Sequence, residues 1–256
     1  MQPNKFTILG SSSGVPQAER NSAGYILNIN ERLNLIDCGG GVISSFLRRG
    51  FNPLDVDRVF ISHTHPDHVC ELPLFIQMIS LAGRDERIDI FVPDEFVIPL
   101  RAYLNAVYII PEKLPFELHI IGYNGGIVFD EDFKLTAIAN SHLSQYSELI
   151  ARLNLPNKMQ SHSFQIEIGQ KRLFYSGDIG GIDDIRDKLN GNDYVVMEMT
   201  HVDADVFFDF APKTNVGEFV ITHLGHSDEV SKLNLMARKA GMHNFSTAVD
   251  GIELVL

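Results

Sequence analysis

A short segment of the sequence carries four side chains that can bind a metal ion: Ile61-Ser-His63-Thr-His65-Pro-Asp67-His68. It follows directly on Arg58–Ser62, a run typical of a buried strand. Residues two apart in extended backbone point the same way, so His63 and His65 can bind one cation together. Asp67 and His68 come just after, where a turn into a helix could direct both toward a second cation. The alternative is a polar surface loop, which the apolar strand before it disfavours.

Three more candidate ligands stand just after strand-like runs: His142 after Leu135–Ala139, Asp178 after Leu173–Gly177, and His223 after Val220–Thr222. Loops beyond strand ends are where a sheet presents functional side chains. Each residue alone has a simpler interpretation as a capping, turn or surface residue. Together with the first cluster, they supply the ligands that a two-metal site needs. Imidazole and carboxylate suit Zn²⁺, and also Mn²⁺ or Fe²⁺.

Composition excludes several other classes of protein. The chain has 256 residues, 45% of them hydrophobic, which is too apolar for a disordered protein. Its net charge of −12 gives no default attraction to nucleic acid or to anionic membranes. No apolar run is long enough to span a membrane, and no signal peptide is evident. With only two cysteines, no disulfide framework is expected. We therefore expect a cytoplasmic protein with one compact domain over residues 1–256.

The order of secondary-structure signals predicts an α/β chain. Two strand-rich halves are separated and flanked by helix-like segments, which favours two sheets stacked face to face with helices outside. The expected helices are Val42–Arg49, His68–Leu81, Glu95–Tyr108 and Ser227–Ala240 with Ser227 as its N-cap. Segment 202–217 looks irregular. Phe245–Val249 and Ile252–Leu256 are expected to close the chain as a hairpin around Asp250-Gly251.

The metal-binding pattern, from His63–His68 through His142 and Asp178 to His223, resembles the metallo-β-lactamase superfamily. The N-terminal third resembles the ribonuclease Z and cyclic-nucleotide phosphodiesterase branch in three segments: Leu9–Pro16, Arg20–Ser22 and Leu35–Gly40. The resemblance implies an α/β (α+β) fold, a four-layer αββα sandwich of two mixed β-sheets. It also implies a dinuclear metal site at one end of that sandwich.

The same resemblance implies a role for each candidate ligand. One metal ion would be bound by His63, His65 and His142, and the other by Asp67, His68 and His223, with Asp178 bridging the two. The expected cofactor is therefore a pair of divalent ions, zinc first, with manganese and iron as the alternatives. Asp67 would in addition orient the attacking hydroxide, which makes it a catalytic candidate.

Three features depart from the branch. Glu71 stands where a glycine usually precedes Leu-Pro. Met197 stands where the branch has a histidine that takes part in proton transfer, so His201 is the candidate replacement and His226 a second candidate for contact with the substrate. The segment from His142 to Asp178 lacks the Gly/Pro-rich arm that holds tRNA in the long enzymes of the branch.

The candidate ligands predict a metal-dependent hydrolase in which a metal-bridging hydroxide attacks an electrophilic centre. The resemblance to the branch implies that this centre is a phosphodiester. A small phosphodiester or cyclic nucleotide is the favoured substrate. The alternatives are a ribonuclease Z-like tRNA 3′-end endoribonuclease and a lactone or thioester hydrolase, while a non-catalytic metal-binding sensor is disfavoured by the complete ligand set. The expected partner is therefore a small molecule rather than RNA or a membrane, and the resemblance also implies a homodimer.

Overall fold

The computed structural model describes residues 3–256, and the chain divides into two compact units. The first unit comprises the chain up to Tyr123 together with Val249–Leu256, and the second comprises Asn124–Ala248. Each unit contains one seven-stranded sheet. The expectation of a single domain over residues 1–256 stays a prediction.

Residues 3–256 form strands and helices with the following bounds. The strands are β1 (Lys5–Gly10), β2 (Gly24–Ile29), β3 (Arg32–Cys38), β4 (Val56–Phe60), β5 (Ile88–Pro93), β6 (Leu118–Tyr123), β7 (Gly126–Asp130), β8 (Lys134–Ala139), β9 (His162–Ile168), β10 (Lys171–Tyr175), β11 (Tyr194–Glu198), β12 (Glu218–Thr222), β13 (Phe245–Thr247) and β14 (Glu253–Val255). The helices are α1 (Val42–Arg48), α2 (Pro66–Val69), α3 (Leu72–Leu81), α4 (Val97–Ala106), α5 (Ser147–Leu153), α6 (Ala204–Phe210) and α7 (Ser227–Lys239).

The first unit is built on a mixed sheet with the strand order β14-β1-β2-β3-β4-β5-β6. Neighbours from β14 to β3 are antiparallel, and neighbours from β3 to β6 are parallel. Apolar side chains of α1, α3 and α4 pack with the sheet in a core that includes Phe46, Phe75 and Leu100. Because β3 and β4 are parallel, the segments that follow them leave the sheet at the same edge. That edge receives Asp37 from β3 and the segment His63–His68 after β4.

The second unit has a sheet with the order β13-β12-β11-β10-β9-β8-β7. The pairs from β10 to β13 are parallel, and the pairs from β7 to β10 are antiparallel. Two antiparallel steps separate β8 from β10, so these two strands run in the same direction. The carboxyl ends of β8, β10, β11 and β12 therefore share one edge of the sheet. His142, Asp178, His201 and His223 all follow at that edge.

Two mixed β-sheets with flanking helices confirm the expected α+β fold class, which is consistent with a metallo-β-lactamase fold. Across residues 3–256, no helix combines the length and the apolar character needed to cross a bilayer.

The expected C-terminal hairpin is wrong. Strand β13 pairs with β12 in the second unit, whereas β14 pairs with β1 in the first. The turn itself forms, with Gly251 at φ +100°. However, the Asp250 carboxylate accepts hydrogen bonds from the backbone N–H groups of Ser11 and Asn21, at 3.0 and 2.8 Å. These bonds hold the turn on the N-terminal loop, so the strands on either side of it join different sheets.

Three helix predictions also need correction. The helix expected at His68–Leu81 is two helices, α2 and α3, separated at Cys70 and Glu71. His226, not Ser227, is the N-cap residue of α7, and Ser227 is its first helical residue. Segment 202–217 is not irregular, because it contains α6, whose N-terminus is capped by the Asp203 carboxylate.

Candidate metal centre

The first unit brings together the four candidate ligands of the segment after β4. Ligand atoms of His63 and His65 lie within 4.8 Å of one another, and so do those of Asp67 and His68. The ring centroids of His63 and His68 are 4.1 Å apart. The Nε2 atom of His68 lies 3.6 Å from Oδ2 of Asp67, a separation at which both atoms can contact one ion. His63 and His68 are fully buried, while His65 and Asp67 are partly accessible.

Asp37, a residue with no assigned role in the sequence analysis, orients two of these histidines. Its carboxylate accepts hydrogen bonds from Nδ1 of His68 at 2.8 Å and from the Ser62 hydroxyl at 2.8 Å. A carboxylate can only accept, so His68 carries its proton on Nδ1. The Ser62 hydroxyl donates its own proton to Asp37 and therefore accepts from Nδ1 of His63, at 3.2 Å. Both rings are left with an Nε2 lone pair for a ligand bond, an arrangement typical of metal-binding histidines.

The backbone around Asp37 is strained and closely packed. Asp37 has φ +54°, an uncommon conformation for a residue with a side chain, and its side chain is fully buried. A Cβ atom at Gly39 would collide with the backbone carbonyl of Asp67. The glycine after β3 is therefore required because the loop carrying Asp67 approaches it closely. Strain of this kind persists where the surrounding structure holds a functional group in place.

Glu71 has a structural role that explains its departure from the family pattern. Its carboxylate accepts hydrogen bonds from the backbone N–H groups of Gly41 and Ile43, each at 2.8 Å. These groups lie at the N-terminus of α1, where N–H groups lack partners within the helix and the helix dipole favours a negative charge. Glu71 therefore joins the segment after β4 to α1.

In the second unit, the candidate ligands His142 and His223 lie close to the carboxylate of a third candidate ligand, Asp178. Oδ2 of Asp178 lies 3.7 Å from Nε2 of His142 and 3.4 Å from Nε2 of His223. All three residues are at least 96% buried. Both imidazoles thus direct Nε2 toward the same carboxylate oxygen. At these distances each Nε2 and the Asp178 oxygen can contact the same metal ion.

His223 is held in this orientation by Thr200. The Thr200 hydroxyl donates to the His223 backbone carbonyl at 2.7 Å, and its oxygen accepts from Nδ1 of the same residue at 3.2 Å. Nε2 of His223 therefore carries the lone pair. His223 has φ +53°, in the left-handed region that residues with a side chain seldom adopt. It resembles Asp37 of the first unit in this respect.

His201 lies beside two of the candidate ligands. Its ring centroid is 4.8 Å from that of His142 and 6.1 Å from that of His223. Its Nδ1–H donates to the buried Glu198 carboxylate at 2.8 Å, and its ring is about one-third exposed. Met197, which occupies the position of the family's histidine, is fully buried in the apolar core of the second unit. His201 therefore lies next to two candidate ligands, and its role in proton transfer stays a prediction.

His226 is placed differently from His201. It is the N-cap residue of α7, where its backbone carbonyl accepts from the N–H of Glu229 at 3.0 Å. The structure gives its backbone a role at a helix end, and its assignment to substrate contact stays a prediction.

The chemistry of the donor set fits divalent transition-metal ions. The donors are imidazole nitrogens and carboxylate oxygens, the ligand types preferred by zinc and also used by manganese and iron. Burial raises the pKa of both cysteine thiols, and the nearby Glu71 carboxylate raises it further. The orienting bonds of Asp37, Ser62 and Thr200 are the kind of support that metal-binding histidines require.

Comparison with known proteins identifies the family of the chain. Residues 32–240 match the model of the β-lactamase superfamily domain. The chain is 34% identical to a ribonuclease Z of Methanothermobacter thermautotrophicus over 139 residues, which are 54% of this chain and 44% of that protein. It is 29% identical to a ribonuclease BN of Escherichia coli over 219 residues, covering 81% of this chain and 70% of that protein.

A similar fold occurs in the crystal structure of the metallo-β-lactamase fold protein YhfI from Bacillus subtilis. The two structures have a TM-score of 0.77 with 21% sequence identity, and the match covers 99% of each chain. The match to the superfamily domain, the ribonuclease relatives and this likeness of fold all support the same assignment. The chain belongs to the metallo-β-lactamase superfamily, in its ribonuclease Z-like branch.

Proposed function

We propose that the protein is a hydrolase with a dinuclear metal centre. In this proposal His63, His65 and His142 would hold one ion, Asp67, His68 and His223 would hold the other, and Asp178 would serve both, as the family resemblance implies. The observation that carries this proposal is the orientation of the imidazoles, since Asp37, Ser62 and Thr200 direct the Nε2 atoms of three of them toward ligand positions. We propose zinc as the ion, with manganese or iron as the alternatives.

The ions would supply a nucleophilic water at neutral pH and stabilise the negative charge that develops on the attacked group. Side chains of the protein would orient the nucleophile and transfer the proton. Asp67 has one carboxylate oxygen 3.6 Å from Nε2 of His68, and its partly accessible side chain can also accept a hydrogen bond from a water molecule. Asp67 therefore orients the nucleophile.

His201 is the proton donor in this proposal. The bond from Nδ1 to Glu198 fixes the tautomer and leaves Nε2 as the nitrogen that exchanges a proton with the substrate. Glu198 itself is fully buried and also accepts from the backbone N–H of Ile179, at 3.0 Å, which keeps the carboxylate in position. A partly exposed ring next to His142 and His223 is suitably placed to protonate an alkoxide as it leaves.

We propose a small phosphodiester as the substrate. An enzyme that grips RNA needs lysine and arginine side chains free for phosphate contacts. In the segment between His142 and Asp178, Lys171 forms an ion pair with Asp193 at 2.9 Å and Arg172 lies 3.7 Å from Glu167. These two bases lie close to acids of the same unit, and Arg152 and Lys158 are the only other lysine or arginine side chains of the segment, which favours a small substrate over RNA.

Cleavage of precursor tRNA is the second candidate function, because the relatives that match this chain are named ribonuclease Z and ribonuclease BN. The chain spans less than half the length of that ribonuclease Z. The family resemblance also implies a homodimer, which we retain as part of the proposal together with a cytoplasmic location.

A comparison of substrates tests the proposal. The metal-loaded protein is assayed with a dinucleotide, a cyclic nucleotide, a precursor tRNA and a lactone at the same salt concentration. The proposal expects the highest kcat/KM for one of the two small phosphodiesters. A kcat/KM at least tenfold higher for tRNA that falls steeply with added salt would indicate electrostatic binding of RNA and refute the small-substrate proposal. Turnover of the lactone alone would refute phosphodiester hydrolysis.

A further inference from the structure

The turn between β13 and β14 anchors the N-terminal loop of the first unit, residues 11–21, which follows β1. The Asp250 carboxylate accepts four hydrogen bonds from the two ends of this loop. Its Oδ1 atom accepts from N and Oγ of Ser11 at 3.0 and 2.8 Å, and its Oδ2 atom accepts from N and Nδ2 of Asn21, each at 2.8 Å. Asp250 therefore ties the two ends of the loop together, with one carboxylate oxygen for each end.

Hydrogen bonds within the N-terminal loop hold the segment that carries Gly14. The backbone N–H of Ser12 donates to the carbonyl of Asn21 at 2.8 Å, so the two sides of the loop are paired next to its anchored ends. The Ser12 hydroxyl donates to the carbonyl of Val15 at 3.1 Å, across Gly14. The position of Gly14 is therefore set by the same bonds that begin at Asp250.

Gly14 brings the N-terminal loop against the carboxylate of the candidate ligand Asp67. A Cβ atom at Gly14 would lie 3.3 Å from Oδ2 and 3.8 Å from Oδ1 of Asp67, and the first of these distances is closer than an ordinary van der Waals contact. Gly14 does not have a positive φ, so its backbone conformation is open to any residue. The close approach to Asp67 is therefore what favours glycine at this position.

The chain beyond the N-terminal loop also reaches Asp67. The backbone N–H of Ser22 donates to the carbonyl of Gly40 at 2.9 Å. Gly39, the residue before Gly40, approaches the backbone carbonyl of Asp67 so closely that a Cβ atom there would collide with it. The backbone of Asp67 thus rests on a segment bonded to the far end of the loop, and its side chain rests on the loop itself.

We propose that Asp250 is a positioning residue, which holds the N-terminal loop against Asp67 and so fixes the carboxylate that would bind metal and orient the nucleophile. This inference rests on the proposed hydrolase function, because it concerns the same centre. A catalytic group misplaced by about 1 Å can cost about 10²-fold in rate. Loss of Asp250 should therefore lower kcat far more than it changes KM, since it displaces Asp67 and removes no group that contacts the substrate.

A double-mutant cycle tests whether the loop transmits the effect of Asp250. Gly14→Ala adds a methyl group that presses on the Asp67 carboxylate, and Asp250→Ala releases the loop that carries it. With zinc-loaded protein and bis-p-nitrophenyl phosphate, we expect each single variant to lower kcat about tenfold and to change KM less than twofold. In the Asp250→Ala background the added methyl group should cost less than threefold, because the released loop can move away from Asp67. Losses that multiply in the double variant would overturn the proposal.

Glu253→Gln is the matched control, because Glu253 lies three residues beyond Asp250 on β14 and pairs with Lys5 at 2.7 Å. It tests whether loosening the C-terminal strand is enough to lower kcat, and it should leave both kcat and KM unchanged. Asp250→Asn keeps one acceptor oxygen, so it can retain the bonds to one end of the loop and should lose less activity than Asp250→Ala. If Asp250→Ala does not fold, the cycle is run with Asp250→Asn and judged by the same criterion.

A titration with Co²⁺ gives a measurement that does not depend on turnover. The visible absorption of bound Co²⁺ reports its ligands, and Asp67→Ala provides the reference spectrum for loss of that carboxylate. We expect Asp250→Ala and Gly14→Ala to weaken Co²⁺ binding at least threefold and to shift the spectrum in the direction of Asp67→Ala, whereas Glu253→Gln follows the wild type. Affinities and spectra equal to those of the wild type in both variants would overturn the proposal. If the wild-type protein does not hydrolyse the ester, the proposed function fails, while the Co²⁺ titration still decides whether Asp250 positions Asp67.

Discussion

Replacing Asp37 with asparagine tests how the structure supports the candidate ligands of the first unit. The carboxylate accepts three hydrogen bonds, from the Ser62 backbone N–H at 2.7 Å, from the Ser62 hydroxyl at 2.8 Å and from Nδ1 of His68 at 2.8 Å. Asparagine has a similar shape and tolerates a positive φ, so the backbone can keep its conformation. The substitution therefore changes hydrogen bonding with little change in packing.

An asparagine side chain offers one acceptor oxygen where Asp37 offers two. If this oxygen keeps the bonds to His68 and the Ser62 hydroxyl, the amide NH₂ faces the Ser62 N–H and one bond to a charged group is lost. That loss costs about 1.5–3 kcal/mol of the free energy of unfolding. If the amide faces Nδ1 of His68 instead, the ring must change tautomer and loses its lone pair on Nε2. Either arrangement weakens the orientation of His68, and we expect metal affinity to fall by about 10–100-fold.

The assays are chemical denaturation of the metal-free protein and titration of metal against a chromogenic chelator. Asp57→Asn is the matched control, since Asp57 pairs with the exposed Arg32 at 2.9 Å and contacts none of the candidate ligands. It should change the free energy of unfolding by less than about 1 kcal/mol. A metal affinity of Asp37→Asn within twofold of wild type would refute the argument that Asp37 orients a ligand.

Three further predictions follow from the site. Asp67→Ala should lower kcat by about 10²–10⁴-fold while leaving the melting temperature nearly unchanged, because it removes a ligand and the group that orients water but no core contact; an unchanged kcat would show that the site is misassigned. His201→Ala should lower the rate of hydrolysis of a phosphodiester with an alkoxide leaving group far more than that of a nitrophenyl ester, because nitrophenolate departs without a proton. His226→Ala should lower the two rates equally. Equal losses on both substrates in His201→Ala would show that another residue is the acid. Glu71→Gln should lower the free energy of unfolding by about 1–3 kcal/mol, since an amide replaces one of the two oxygens that accept from α1; the exposed Glu31→Gln is the control, and identical denaturation curves would contradict the capping role.

The candidate ligands were predictable because their signal is local. The alternation of His63 and His65 after an apolar strand, and the placement of Asp178 and His223 after strands, follow from how sheets present side chains at their edges. The parallel pairing of β3 with β4 and of β10 with β11 and β12 then brings the segments after these strands to common edges. Sequence alone therefore indicated the chemistry of each group.

The supporting residues were harder to identify because their partners are distant in sequence. Asp37 and His68 are 31 positions apart, and no local pattern links the carboxylate to the ring it orients. Glu71 and Gly41 are 30 positions apart, so the glutamate was visible only as a departure from the family pattern. Asp37 lies in Leu35–Gly40, one of the segments that resemble the branch, but that resemblance assigned the residue no role.

The C-terminal error has the same origin. The signal for a turn at Asp250-Gly251 was correct, but local turn chemistry does not determine which sheet accepts each flanking strand. In the structure, the Asp250 carboxylate accepts hydrogen bonds from Asn21, 229 positions away, and no local pattern shows this contact. The α6 helix was missed for a different reason, since its seven residues give too short a pattern for helical periodicity, although the Asp203 cap was present in the sequence.

The metal content of the reconstituted protein tests the central claim most directly. The protein is stripped with a chelator, reloaded with zinc, separated from free metal and analysed for metal and protein in the same sample. The seven candidate ligands predict close to two ions per chain, with hydrolysis lost on chelation and restored on reloading. A value of one ion per chain would contradict the dinuclear centre, and a folded protein that retains no metal would contradict the metal site altogether.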